Sequence, residues 1–306
     1  MTLEVIILGV FVADTAYRAA RQPRMGETIL GKTFALGPGG KGSNQAVAAG
    51  MAGAPVGIIT KLGQDQFADM AISTWDVAGV TSLATRHADS YTGAAYIFVD
   101  DTTGDNAIIV CPGIASTLAP RDIDRCAAEI AACKVFLTQL EQPLDVTEYA
   151  LARASAAGAI TILNPAPAAE LPASMIALCD YVTPNETEAE AITGISVRTP
   201  EDAIAAAEVL LEKGCGAAII TLGDNGCVYH DGKTPVHVPA MTSGPVCETT
   251  GAGDAFNGGF AAAIAEGRVP LDAIRFGTAT AAISVTRPGT APSMPARAEI
   301  IGLLAG

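Results

Sequence analysis

The sequence predicts an α/β fold: a doubly wound, mostly parallel sheet with helices on both faces, joined by a small β-sheet lid. Three observations point there. Short β-rich runs alternate with helical patterns along most of the 306 residues. Half of the residues are apolar, ample for a full core. Two stretches, about 16–36 and 91–110, break the alternation with turn residues and no intervening helix.

The β-rich runs are, in order, EVIILGV (4–10), VGIITK (56–61), VFLTQL (135–140), AITILN (159–164), YVTPN (181–185) and AAIITLG (217–223). Most are rich in branched residues that pack well on a pleated surface. Helical patterns over 43–53, 66–79, 121–132, 145–157, 186–193 and 200–213 separate most of them, and that repeat implies parallel pairing. From residue 254 the pattern is helical, over 254–266, 270–285 and 296–304. The stretches 16–36 and 91–110, the second containing YTGAAYIFVDDTTGDNAIIV, predict hairpin strands and a secondary sheet over the ends of the main strands. Residues 1–306 thus read as one α/β domain with the lid segments inserted. There is no internal repeat and no low-complexity segment.

Charge narrows the partners. Thirty-two acids against 18 bases give a formal charge of −14, which argues against nucleic acid or an anionic membrane surface. Seven scattered cysteines contain no C-x-x-C pair and do not cluster with the three histidines, which suits reduced thiols better than a disulfide framework or a zinc site. MTLEVIILGV lacks a basic leading region and reads as a strand, not a signal peptide. Gly, Pro or charge interrupts every apolar run before membrane-spanning length. The expectation is a cytoplasmic protein acting on small molecules.

In an open α/β sheet, ligands bind beyond the carboxyl ends of the strands. LGPGGKGSNQAVAAG (36–50) suits such a place: Gly37, Gly39, Gly40 and Gly42 let backbone approach a ligand, Lys41 adds a charge, and Asn44 stands at a helix start. Gly37, Gly39 and Gly42 also satisfy G-x-G-x-x-G, but a dinucleotide fingerprint should follow the first strand, which ends near Gly9. A Walker A reading fails too, because Gly42 stands where Ser or Thr is needed. The bland alternative is a Gly-rich turn ahead of an Ala-rich helix.

TPNETEAEAITG (183–194) has two readings. Asn185 and Glu188 form a capping box, or Asn185, Glu186 and Glu188 offer oxygen ligands to a magnesium–phosphate complex. Asp224-Asn225-Gly226 signals a turn between two strands, or the wall of a nucleotide pocket. ETTGAGD (248–254) sets a lone carboxylate behind a bare loop where a helical pattern begins, with Phe256, Phe260, Ala263 and Ile264 at helical spacing. Asp254 reads as an N-cap, or as a catalytic base beside an anion hole built by Gly251, Ala252 and Gly253 at the positive end of the helix dipole.

GGKGSNQAVAAG (39–50) and TTGAGDAFNGGF (249–260) resemble the two signatures of the ribokinase family of sugar kinases, the PfkB group. LNPAPAAELP, VTPNETEAEAITG, IITLGDNG and ISVTRPGTAPSMP resemble further segments of that family in the expected order, so the likeness covers nearly the whole chain. The resemblance implies a ribokinase-like α/β domain whose β lid also makes a homodimer contact. It implies transfer of the ATP γ-phosphate to a sugar hydroxyl, with D-ribose giving D-ribose 5-phosphate, and Mg2+ and K+ as cofactors. By matching position, Asp254 is the base, and Gly251, Ala252 and Gly253 supply anion-hole amides. Asp14, Gly40, Lys41, Asn44, Glu141 (in TQLEQP) and Asp254 hold the sugar. Asn185, Thr221, Gly223, Asp224, Gly226, Gly253 and Thr278 line the nucleotide site, and Glu188 orients magnesium through water. Glu248, Thr250, Ser284, Arg287, Gly289 and Ser293 surround potassium, mostly through backbone oxygens.

Phosphoryl transfer needs positioning and neutralised charge more than covalent chemistry. A carboxylate at a helix N-terminus is stabilised as an anion, so the basicity of Asp254 is expected to fall, with the proton accepted late. The chain departs from the family pattern twice: Val12 replaces an Asn near the sugar, and Glu248 replaces an Asp at the potassium site. A kinase for another sugar or a nucleoside, a nicotinamide-dependent dehydrogenase, and a non-catalytic sugar sensor are the alternative readings.

Overall fold

The computed structural model describes residues 2–306; Met1, the first residue of the expected domain, lies outside them. Nine strands form one sheet, in the spatial order Val236–Val238, Cys227–His230, Ala217–Thr221, Tyr181–Val182, Ile160–Leu163, Val135–Thr138, Val5–Leu8, Val56–Ile59, Thr81–Ser82. All pairings are parallel except those made by Cys227–His230 and Val236–Val238. The apolar runs are legible as strands because the sheet is covered on both faces. Along Val5–Leu8, Val5 and Ile7 enter one core cluster and Ile6 and Leu8 the other, all fully buried. Helices Lys41–Met51, Gln66–Val77, Ala252–Ala265, Pro270–Ser284 and Arg297–Ala305 cover the first face; Leu144–Ala156, Glu186–Thr193 and Pro200–Glu212 help cover the second.

Strand order fixes where chemistry can sit. From Val5–Leu8 the chain builds outward on one side through Val56–Ile59, then returns to build the other side from Val135–Thr138. The two halves part at the carboxyl end of Val5–Leu8, which is the topological switch point.

A second sheet of four strands, ordered Thr33–Gly39, Val12–Ala19, Thr92–Asp100, Asn106–Gly113, is the predicted small β-sheet. Its extent differs from the expected 16–36 and 91–110. Strands begin at Val12 and end at Gly113, while residues 20–32 contribute no strand. Val12–Ala19 pairs antiparallel with Thr33–Gly39 but parallel with Thr92–Asp100, so two hairpins join side by side. The predicted helix over 121–132 is two, Pro120–Asp124 and Ala127–Ala132. All seven cysteines are free, and five are buried. Among the described residues no helix is long and apolar enough to cross a membrane.

Candidate active site

Strand ends and the starts of helices Lys41–Met51, Glu186–Thr193 and Ala252–Ala265 come together around two adjoining cavities. Gly37 and Gly39 belong to strand Thr33–Gly39, so the expected glycine loop is shorter than its sequence suggests. The turn into helix Lys41–Met51 is made by Gly40 alone, at φ 87°, where a Cβ would lie 2.6 Å from the Val10 carbonyl. The following turn presents Lys41 and Asn44, and the Lys41 backbone N–H donates to Glu141 Oε2 at 2.8 Å. Glu141 comes from the loop after strand Val135–Thr138, and Asp14 from the sheet beside it.

Asp254 does not cap its helix. The cap is Gly251, whose left-handed φ of 81° is free for a residue without Cβ, and the helix opens at Ala252. Asp254 therefore stands third in the helix and turns across to helix Lys41–Met51. Its Oδ2 accepts from Asn44 Nδ2 and its Oδ1 from Gln45 Nε2, both at 3.0 Å. The expected fall in basicity is also corrected. Burial raises the Asp254 pKa, against the opposing pull of Lys41, Asn44 and Gln45. Desolvation dominates because the residue is only 7% exposed.

The neighbouring acids share that environment. Burial, with Asp254 nearby, pushes Asp14 up to about 6. Burial pushes Glu141 up to about 7, with Lys41 opposing it. Asn44 Oδ1 is buried and unpartnered. Acceptors of this kind suit a ligand rich in hydroxyl donors, whose O–H groups would satisfy them.

Two cavities adjoin. One of about 150 Å³ is walled by Lys41, Asn164, Glu188, Thr221, Asn257 and the Gly251–Asp254 turn. Backbone N–H groups at a helix start beside a lysine suit this cavity to an anion. The other, about 340 Å³, is lined by all seven candidate nucleotide residues: Asn185, Thr221, Gly223, Asp224, Gly226, Gly253 and Thr278. Phe256, Met241, Ala282 and Val285 add apolar walls that sequence reasoning missed. Asn185 and Glu188 do form the capping box: Glu188 N donates to Asn185 Oδ1 and Asn185 N to Glu188 Oε2, each at 2.9 Å. The Glu188 carboxyl still lines the smaller cavity, its pKa raised by burial. A carboxylate has about four lone-pair sites, so the box leaves oxygen capacity for a hydrated hard cation.

The candidate potassium residues come partly together. Glu248 Oε2 accepts from Gly289 N at 2.8 Å, and Glu248 N donates to Val285 O at 3.1 Å. Ser284 closes the neighbouring helix and Ser293 ends a short turn. Thr250 is exposed, and the Arg287 side chain turns to Glu299, leaving only its backbone for such a role.

Residues 4–297 match the model of the pfkB family carbohydrate kinases. The chain belongs to that family. As a pfkB carbohydrate kinase it is a phosphotransferase acting on a sugar hydroxyl. It is 38% identical over 300 residues to a ribokinase of Haemophilus influenzae, covering 97% of both chains. It is 37% identical over 295 residues to a deoxyribokinase of Salmonella typhi, covering 96% of both. The structure of Arabidopsis thaliana ribokinase complexed with ribose and ATP matches with a TM-score of 0.92 at 28% identity over all of both chains. Several polar pocket residues of this kinase escaped sequence reasoning: Asn164, Thr183 and Asn257. Asn164 sits in the quoted LNPAP segment at a strand end, and Asn257 three residues after Asp254, which are the signals that could have found them.

Proposed function

We propose that the chain is an ATP-dependent ribokinase, forming D-ribose 5-phosphate, folded as one domain over 1–306 with an inserted lid. The observation that carries this is the place of Asp254, a buried carboxylate between an anion-binding turn and a cluster of hydroxyl acceptors. The sugar rests on Asp14, Gly40, Asn44 and Glu141, and Lys41 and the Gly251–Gly253 amides hold the transferring phosphoryl group. As the sugar oxygen bonds to γ-phosphorus, its proton passes to Asp254 and ADP leaves. A raised pKa makes Asp254 a better proton acceptor once ionised, and the late transition state needs no strong base. Magnesium bound with the nucleotide would supply charge neutralisation, held through water by Glu188.

One observation favours a second sugar. Val12 is buried among Val10, Ala95 and Ala115 and offers no polar side-chain atom. A sugar lacking one hydroxyl loses least there, and one relative is named a deoxyribokinase. Coupled ADP release across ribose, 2-deoxyribose, hexoses and nucleosides tests the reading. A clear preference for anything but ribose removes the ribokinase assignment, and turnover with none removes the kinase reading.

The four-stranded sheet closes over bound sugar to exclude water, which would otherwise divert the phosphoryl group. Amide hydrogen exchange in Val12–Ala19 and Thr92–Asp100 is expected to slow at saturating ribose; unchanged exchange would show that this sheet is no lid. Its exposed apolar residues, Tyr17, Phe34, Ile108 and Ile109, support a homodimer contact with a second copy, which sedimentation across a concentration series would detect.

Potassium activation persists but weakly. The longer Glu248 side chain folds back onto the Gly289 N–H, which draws its charge away from an adjacent ion. Glu248→Asp is expected to lower the half-saturating potassium concentration, measured as turnover against potassium chloride at constant ionic strength. If both proteins saturate at the same low concentration, Glu248 replaces Asp fully and the idea is wrong.

A further inference from the structure

Asp254 is gripped by two consecutive residues of helix Lys41–Met51, and only one of the two keeps a polar atom free. Asn44 holds Oδ2 and keeps its own Oδ1 unpartnered. Gln45 holds Oδ1, is fully buried, and has both polar atoms of its amide paired within the protein. Its amide has no freedom to turn. One Nε2 hydrogen goes to Asp254 and the other to Asn164 Oδ1, at 3.0 Å each, while Oε1 accepts from Gln139 Nε2. Asn164 is itself fixed, because its Nδ2 donates to the Thr183 carbonyl at 3.1 Å. A reversed Gln45 amide would set its oxygen against both a carboxylate and an amide oxygen.

We propose that Gln45 is a positioning residue for phosphoryl transfer: the Gln139–Gln45–Asn164 amide chain clamps Oδ1 of Asp254 and leaves Oδ2, on the Asn44 side, to receive the sugar proton. The inference rests on the reading of Asp254 as the base. A donor to the ionised form favours that form, so the clamp also keeps Asp254 ionised at lower pH than burial alone would allow. The other charges facing Asp254 are Lys41 on the same helix as Gln45, Asp14 on the lid strand, Glu141 after strand Val135–Thr138, and Glu188 on helix Glu186–Thr193. None of these side chains hydrogen-bonds the Gln45 amide, so they form a common background in the comparison of variants.

The test is kcat and KM against pH for the intact enzyme, with ribose or ATP varied while the other is saturating, in wild type, Gln45→Met and Gln45→Glu. Met keeps the volume and removes both donors. A bond to a charged group is strong enough to move a pKa by about one unit, so the acid limb of kcat is expected to rise by about that much in Gln45→Met. The plateau is expected to fall by roughly tenfold or more, with KM for both substrates changing less than about threefold, the mark of a group acting only in the transition state. Gln45→Glu is expected to move the limb further, since adjacent carboxyls share a proton. An unmoved limb, or a loss confined to KM, overturns the proposal. Should Gln45→Met fail to fold, Gln139→Met decides: it never touches Asp254, and a smaller limb shift in the same direction supports the clamp while none rejects it. Full activity of Asp254→Asn would instead remove the base itself, which separates the two failures.

Discussion

Asp254→Asn is expected to lower kcat by roughly 10²–10⁴-fold, the range for a positioned general base, while KM for sugar and ATP stays within a few-fold. An amide is nearly isosteric but cannot take the sugar proton. Folding should survive, because the helix is capped by Gly251 and not by this side chain. One local penalty arises: Asn44 and Gln45 both donate to the carboxylate, and an amide at 254 turns one N–H against another donor. That costs about 1–3 kcal/mol, readable as a modest drop in melting temperature. In the native enzyme, protonation of Asp254, Asp14 and Glu141 as pH falls would remove the proposed base and the proposed sugar acceptors together, so activity is expected to fall on the acid side. A variant retaining a third of wild-type turnover would end the base assignment.

Gly258→Ala is the second large effect, and it acts without touching any ligand. Helices Lys41–Met51 and Ala252–Ala265 cross at Gly258, where a Cβ would stand 2.5 Å from Gln45 O, 2.5 Å from Ala48 Cβ and 2.9 Å from Ala49 N. Two of those atoms are backbone, so the helices must separate. Overpacking costs about 1–3 kcal/mol, against about 1 kcal/mol regained from helix propensity. Stability thus changes moderately. Activity should suffer more, because Asn44 and Gln45 ride on one helix and Asp254 on the other, and a misplacement of about 1 Å is worth as much as 10²-fold. Gly302→Ala is the control. It lies on helix Arg297–Ala305 with nothing within 4 Å of a Cβ, and should leave kcat unchanged while raising stability slightly. Equal kinetics in the two variants would show that the crossing does not set the geometry of Asp254.

What the sequence discloses follows from how local the cause is. The capping box at Asn185 and Glu188 is written in four consecutive residues, and helix Glu186–Thr193 was placed with its correct ends. Strand runs stood out because burial on both faces makes them uniformly apolar. The start of the Asp254 helix was misplaced by two residues because the left-handed turn belongs to Gly251, and several neighbouring small residues could have taken it. The polar chain behind Asp254 was invisible for a different reason. Gln45 lies on a helix while Gln139 and Asn164 follow two different strands, 94 and 119 residues away, and amides carry no spacing signal when their partners are remote. The parallel seam within the four-stranded sheet is illegible likewise, since a register between Val12–Ala19 and Thr92–Asp100 leaves no mark on either strand.

The hydrogen bond from Asn44 to Asp254 spans 210 residues of chain. Such a contact forms only after a long loop has closed, the slow kind of step in folding. During synthesis Asn44 and Gln45 emerge long before Asp254 and wait with these donors unmatched through the 210 residues that separate Asn44 from it. Helix Ala252–Ala265 inserts its acid between them near the end. A chain cut between Asn164 and Ala252 would hold every amide of the clamp but lack the carboxylate proposed to accept the proton, so turnover reports that helix Ala252–Ala265 has been made and docked.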